Sequence, residues 1–263
     1  MSILKTPIDN PRFKGYNNPT QNRGFCESKG VFIMALGNSK VILEKSAHLH
    51  EGETEISERA FNLIIGGMLL WGFFLNYLTV ALFAEQAIRL VYSTNPFIFL
   101  AVYLVLVIVG NLMVTRGGAV MSFIGYTLIA APIGILLCVS IQGVPVQTIK
   151  SAVLVTAIVS LCFMIAATLF PDFFLSLGRV LFFSLLFTIV GSLISMLLFR
   201  GRGHMIYEWL GAGIFSLYIG YDWARANTCA RTVDNAIDLA ANLYLDIINL
   251  FLRILELMSK NKD

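Results

Sequence analysis

Long apolar segments follow one another along most of the chain after residue 60. We identify seven of them, each at least 18 residues long and separated by short connections. They cover residues 61–84, 96–114, 119–141, 151–170, 180–199, 205–223 and 236–258. Because about 20 apolar residues suffice for a helix to cross the hydrocarbon core, the pattern predicts an all-α integral membrane protein with seven transmembrane helices.

The last apolar segment carries a polar stripe that the other six lack. Six polar side chains form it: Asp238, Asn242, Asp246, Asn249, Arg253 and Glu256. At about 100° of turn per residue, these positions fall within an arc of roughly 80°. A helix with one narrow ionisable stripe cannot turn that stripe towards lipid. The sequence therefore predicts six helices surrounding a central C-terminal helix.

The first 59 residues have a different composition. They are polar, are rich in Asn, Pro and Gly at the start, and lack hydrophobic periodicity, which is typical of a disordered segment. We divide the chain into a cytoplasmic extension (1–59), a transmembrane bundle (60–258) and a polar tail (259–263). If the N-terminus lies in the cytoplasm, twelve of the nineteen Lys and Arg residues are on the cytoplasmic side, which is the distribution that the positive-inside rule favours. Since no secretory signal peptide is visible, we expect a bacterial inner membrane.

Composition agrees with a membrane protein and excludes several other classes. Hydrophobic residues make up 57% of the chain and charged residues only 13%, where a soluble domain carries about 25% charged residues. The net charge of +3 is too small to indicate a nucleic-acid partner. The four cysteines have no metal-site spacing, and the three histidines lie outside the apolar segments. We therefore expect the lipid bilayer as a partner, no cofactor and no enzymatic activity.

Asp222 and Asp246 are the two acids placed to meet inside the membrane. Each is twelve residues from position 234, in the polar connection between the last two segments. Residues equidistant from the turn of an antiparallel hairpin lie at the same depth, here roughly 18 Å along each helix. This geometry requires the sixth helix to continue past Trp223 to about Arg231.

Two carboxylates in contact would form a pH-sensitive gate. At about 4 Å and an effective dielectric constant near 20, they repel by roughly 4 kcal/mol, so the pair shares a proton and titrates in two steps. When ionised, Asp222 and Asp246 could instead hold calcium, which prefers oxygen ligands. Arg116 ends the second segment on the same side and could latch the pair. The alternative for Arg116 is an ordinary arginine at the membrane boundary.

Other residues of the stripe have weaker assignments. Three are candidates for lining a pore: Asn242, Asn249 and Asp238. The asparagines could equally hold neighbouring helices together through amide hydrogen bonds. Asp238 and Asp234 lie near the inner surface and are expected to be solvated. Arg253 and Glu256, three residues apart near the outer end, are expected to pair, and a couple that reaches the membrane interface is favoured over one that serves the path.

The last two segments also carry a family resemblance. The sequence LYLDIINLFLRIL (243–255), with GYD (220–222) placed 24 residues before its aspartate, resembles the C-terminal signature of the Bax-inhibitor (TMBIM) family. The resemblance covers roughly residues 59–258 and is most specific in the last two segments. It implies seven helices with the last one central, and the bacterial members that resemble this chain are pH-sensitive calcium leak channels.

The same resemblance implies roles for individual residues. Asp222 and Asp246 match the family's di-aspartyl pH sensor, and Arg116 matches the arginine that latches it. The chain departs from the family in its long N-terminal extension and in two cations. Arg225 could compete with Arg116 for Asp222, and Arg253 adds a positive charge to the polar stripe.

Three functions follow from these observations. The leading hypothesis is a pH-regulated calcium-permeable leak channel that transports calcium and responds to protons. The second is a non-conducting membrane regulator of the stress or cell-death type, whose protein partners the sequence does not name. The third is an intramembrane aspartyl protease, since such enzymes also place YD in one span and an aspartate in the next. Against the protease, residues 243–245 are Leu-Tyr-Leu where a GxGD loop would be needed, and the PAL motif is absent.

Overall fold

The computed structural model of the chain describes residues 54–198 and 204–260. The predicted extension up to residue 53 and the last three tail residues lie outside this part. Eight helices and no strands are present in the described residues, so the prediction of an all-α fold is confirmed. The helices are α1 (Glu58–Ser93), α2 (Pro96–Arg116), α3 (Ala119–Ser140), α4 (Val146–Leu169), α5 (Pro171–Ser176), α6 (Gly178–Leu198), α7 (His204–Ala226) and α8 (Val233–Lys260).

The additional helix is α5, a single short element where the sequence predicts a connection. Phe170 leaves helical geometry with φ −129° and ψ 58°, and Pro171 then starts a new helix at its first turn, a position that proline favours. Phe174 of α5 is buried against α7, where a Cβ atom added to Gly220 would lie 2.3 Å from its ring. The described residues therefore contain eight helices where the sequence predicts seven.

Four helices, α1 to α4, are long and apolar enough to cross a membrane by length and composition. Their outer surfaces expose large apolar side chains, such as Leu63 at 76% and Phe97 at 82%. Contiguous exposed apolar surface of this kind fits contact with lipid. Within α6, the apolar stretch 178–191 is shorter, and α7 and α8 are long enough to span but carry more polar residues.

The last helix, α8, lies among the others and packs against α1, α2, α3, α4 and α7. On the face opposite the polar stripe, the Tyr244 hydroxyl accepts a hydrogen bond from Asn76 Nδ2 at 2.7 Å. Its ring meets that of Tyr126 edge-on at 5.5 Å, and Tyr126 donates to the Met68 carbonyl oxygen at 2.8 Å. These contacts hold one face of α8 against α1 and α3. The polar stripe therefore lies on the other side of α8.

The starts of α1, α3 and α8 meet at one end of the bundle, which we call the proximal end. The Ser122 hydroxyl donates to the Asp234 carboxylate, the Ile56 amide donates to the Arg231 carbonyl oxygen at 2.8 Å, and Arg231 pairs with Glu58 at 3.3 Å. The expectation that Asp234 is solvated is wrong, because this residue is buried and its carboxylate is bonded to Ser122 of α3.

Candidate functional site

The connection between α7 and α8 is longer than the hairpin argument requires. α7 ends at Ala226, five residues short of the limit predicted at Arg231. The Arg225 carbonyl oxygen accepts from the amides of Thr228 at 2.9 Å and Cys229 at 3.0 Å, which closes a turn and ends the helix. Residues 227–232 therefore form a connection of their own, and the predicted extension of α7 is wrong.

Asp222 and Asp246 are both buried despite that longer connection. Asp222 is 0% exposed on α7 and Asp246 is 4% exposed on α8. Tyr218, one turn before Asp222 on α7, is buried as well. The two acids thus lie buried on helices that pack against each other. Since an ionisable group buried inside a membrane bundle is costly, such a pair is a functional candidate by default.

Arg225 is the cation that the structure places beside Asp222. Its Nη1 atom lies 3.4 Å from Asp222 Oδ1, and both side chains are almost fully buried. The guanidinium carbon is 5.9 Å from the ring centre of Tyr221, within the range of a cation–π contact. Arg225 also lies within electrostatic range of Cys229 and Asp238.

Arg116 is exposed at the last position of α2, and the structure does not bring it to Asp222. Its role as a latch therefore stays a prediction, and in this conformation the arginine beside Asp222 is Arg225. Sequence reasoning noted Arg225 only as a competitor. Its position three residues after Asp222 on one helix is the spacing at which side chains meet, and that spacing was the available signal.

A second ion pair, in which the acid is buried and the arginine is partly exposed, lies at the opposite, distal end of the stripe. Arg253 Nη1 donates to both carboxylate oxygens of Glu208 on α7, at 3.0 and 2.9 Å, and Glu208 is only 2% exposed. Glu256 instead pairs with Lys260 at 2.5 Å. The expected pairing of Arg253 with Glu256 is wrong, because Glu208 offers both oxygens in a buried position. No sequence pattern indicated a partner 45 residues away.

The three pore-lining candidates lie in different surroundings. Asn242 Nδ2 donates to the Asp238 carbonyl oxygen at 3.0 Å, and Asn249 Nδ2 donates to the Leu245 carbonyl oxygen at 2.7 Å. Both amides thus bond within α8 and do not use these donors to hold a neighbouring helix. Asn249 also lines a cavity of about 370 Å³ beside Arg253 at the distal end, whereas Asp238 is half-buried near Arg225.

The site offers few ligands for a firmly held metal ion. Among the described residues, no group of three or more His, Cys, Asp or Glu side chains could hold one. Calcium takes about six to eight oxygen ligands, and Asp222 with Asp246 supplies only two carboxylates.

A family model and one curated relative indicate the same family. A family model described as "Inhibitor of apoptosis-promoting Bax1" matches residues 54–263. Two uncharacterized proteins, from two strains of Helicobacter pylori, are each 35% identical over 88 residues, covering 34% of this chain and 37% of each relative. Bax inhibitor 1 of Saccharomyces cerevisiae is 35% identical over 85 residues, covering 30% of this chain and 28% of that protein. The matched stretches span well under half of these curated relatives.

Proposed function

Because the chain belongs to the Bax inhibitor family of membrane proteins, we propose that it is a pH-regulated, calcium-permeable leak channel gated by Asp222 and Asp246. The observation that carries this proposal is the burial of both carboxyl groups on neighbouring helices, with a buried arginine beside Asp222. If these buried charges had no function, apolar residues at the same positions would make the protein more stable.

The proposal includes a seven-span topology. α1 to α4, α6, α7 and α8 cross the bilayer, α5 is a short connecting helix, and, among the described residues, α8 packs against every other span except α6. The proximal end faces the cytoplasm of a bacterial cell, so the N-terminal extension leads into α1 from inside. Two contacts join the start of α1 to the α7–α8 connection: Ile56 with Arg231, and Arg231 with Glu58. They support placing both elements on the same side of the membrane.

Gating follows from the charge balance of the buried cluster. Arg225 balances the charge of Asp222. The charge of Asp246 is therefore absent when this acid is protonated and unbalanced when it is ionised. Two ionised carboxylates at about 4 Å repel by roughly 4 kcal/mol at an effective dielectric constant near 20. A proton keeps the pair closed, whereas its loss drives α7 and α8 apart or draws in a cation. Oxygen ligands of this kind favour a hard cation such as calcium.

The conduction path we propose follows the polar stripe of α8. From the proximal end it passes Asp238 and the acid pair and continues to Asn249. It ends at the distal cavity beside the Glu208–Arg253 ion pair. Arg253 lies seven residues after Asp246, roughly 10 Å along the helix. A cation leaving the acid pair therefore meets a guanidinium whose charge Glu208 neutralises.

Calcium flux into proteoliposomes containing the full chain, measured across a range of pH, tests the proposal. Asp222→Asn and Asp246→Asn should each abolish the pH response. Each variant keeps only one carboxyl group, so the repulsion between two carboxylates that opens the proposed gate is lost. Asp172→Asn, at an exposed acid on α5, is the matched control and should retain the pH response. Unchanged flux with an unchanged pH profile in both buried variants would rule out the gate.

A non-conducting regulator is the second candidate, favoured by the matched family's description and by the name of the yeast relative. In that case the stripe specifies helix packing, and partners act through the extension. Deleting residues 1–53 preserves the Ile56–Arg231 contact and separates the two functions. A channel keeps its flux after the deletion. A regulator conducts neither before nor after it and loses partner binding.

A further inference from the structure

A groove of about 760 Å³ lies between α1 and α4, with α8 as its floor. Ile248 and Phe251 of α8 are buried at its base, whereas Tyr77, Val153 and Leu161 are more than half exposed at its rims. The groove therefore opens sideways from the bundle, through surfaces of α1 and α4 that are apolar enough to face lipid. Its volume falls in the range of small-molecule sites, about 300–1,000 Å³.

Two buried polar atoms in this groove have no hydrogen-bond partner. Asn76 and Ser160 both line it and are each 5% exposed. Asn76 Nδ2 donates to Tyr244, but its Oδ1 atom is unsatisfied, and so is the Ser160 hydroxyl. Elsewhere on α4, the hydroxyl of Thr156 bonds to the carbonyl four residues earlier, at 2.7 Å. Because buried polar groups are normally paired, these two atoms indicate a missing polar partner.

We propose that the groove binds an uncharged lipid whose polar group is a hydroxyl, such as a long-chain monoacylglycerol. No residue lining the groove is charged, so a charged headgroup would be buried there without compensation. A hydroxyl both donates and accepts, so it can pair with the Asn76 amide in either orientation or with the Ser160 hydroxyl. The hydrocarbon chain lies along the apolar walls and leaves through the exposed rims into the bilayer.

This site is separate from the acid pair but touches the same helix. Ile247, which lines the groove, is the residue that follows Asp246 in α8. A bound lipid would therefore contact the central helix beside the proposed gate, on a different face. The binding proposal does not depend on conduction, and its test contains no flux measurement.

Photolabelling of the purified full chain in lipid nanodiscs, with a diazirine-bearing long-chain monoacylglycerol, tests the proposal. We expect labels on α1, α4 or α8 within the groove, displaced by unlabelled monoacylglycerol but not by the fatty acid of the same chain length. Ser160→Ala should weaken displacement about two- to tenfold, as expected for one lost hydrogen bond. Equal displacement by the fatty acid, or no effect of Ser160→Ala, would overturn the hydroxyl assignment.

A steric variant tests the groove itself. Ala157→Phe adds a ring at a lining position that is exposed, so the fold should tolerate it, and labelling should fall at least about tenfold because the space is filled. Ile158→Phe, at an exposed position outside the lining, should leave labelling unchanged. Labelling of Ala157→Phe at the level of Ile158→Phe would show that the lipid binds elsewhere. If Ala157→Phe fails to fold, Ser160→Ala decides the question.

Discussion

The Nη1 atom of Arg225 lies 3.4 Å from Oδ1 of Asp222, three residues earlier on the same helix. An arginine on the same helix moves with its acid, so separation of α7 from α8 leaves this pair intact. The changing partner is then Asp246 on α8. With Asp222 compensated by Arg225, one proton or one cation decides whether the buried cluster is neutral. In the proposed gate, the pH dependence then lies in Asp222 and Asp246, and Arg225 has a positioning role.

Replacing Arg225 should move the pH profile of calcium flux. In Arg225→Gln the ionised Asp222 loses its neighbouring cation, so the acid pair keeps its protons to higher pH. Since protonation closes the proposed gate, the midpoint of flux against pH should move to higher pH. Arg225→Lys, which keeps the charge, should restore the midpoint in part. Arg116→Gln provides the comparison, and a larger shift from this exposed position would identify Arg116 as the latch instead.

The sequence predicts much of this fold because its signals are local. Apolar runs located every long helix, and the polar stripe of 236–258 indicated the buried position of α8. The family resemblance rested on residues around Asp222 and Asp246, and it is confirmed by the family match over 54–263. The seven-helix arrangement missed α5, because a six-residue helix is too short to show a hydrophobic period.

The sequence did not predict which residues far apart in the chain come into contact. Glu208 reaches Arg253 across 45 residues and Asn76 reaches Tyr244 across 168, and both contacts depend on how α1, α7 and α8 are packed. The preference for Arg225 over Arg116 was different. The three-residue spacing between Asp222 and Arg225 on α7 could be read from the sequence. The exposure of Arg116 at the end of α2 could be seen only in the structure.

Loss of the Tyr244 hydroxyl should destabilise the packing of α8. Tyr244→Phe removes the acceptor of Asn76 Nδ2 and leaves both polar atoms of the buried amide without a hydrogen-bond partner. An unsatisfied buried group costs about 1–3 kcal/mol, and we expect a loss of that size in the free energy of unfolding in detergent. Tyr77→Phe on the exposed surface of α1 should change it by less than about 0.5 kcal/mol. Equal stability of both variants would contradict the role of this hydrogen bond.

Close approach of α2 and α3 depends on two glycines. A Cβ atom at Gly110 would lie 2.7 Å from the Gly125 carbonyl oxygen and 2.8 Å from the Ile129 side chain. The carbonyl belongs to the backbone of α3 and cannot rotate away, so Gly110→Ala should cost about 1–3 kcal/mol of stability. Gly66→Ala, where nothing lies within 4 Å, should be neutral or stabilise α1 by about 0.5–1 kcal/mol. Thermal unfolding in detergent compares the two, and a tolerated alanine at Gly110 would mean that α2 and α3 can separate without cost.

Neutralising Glu208 should affect both stability and conduction. Glu208→Gln leaves Arg253 without its counter-charge. Breaking a fully buried pair costs about 3–5 kcal/mol, but Arg253 is 34% exposed, so we expect a loss nearer 1–3 kcal/mol. Calcium flux should also fall at every pH, because the uncompensated guanidinium on the stripe repels the cation. Glu256→Gln breaks only the exposed pair with Lys260 and should cost less than about 1 kcal/mol. Flux that rises in Glu208→Gln would instead identify the Glu208–Arg253 pair as a barrier that must open.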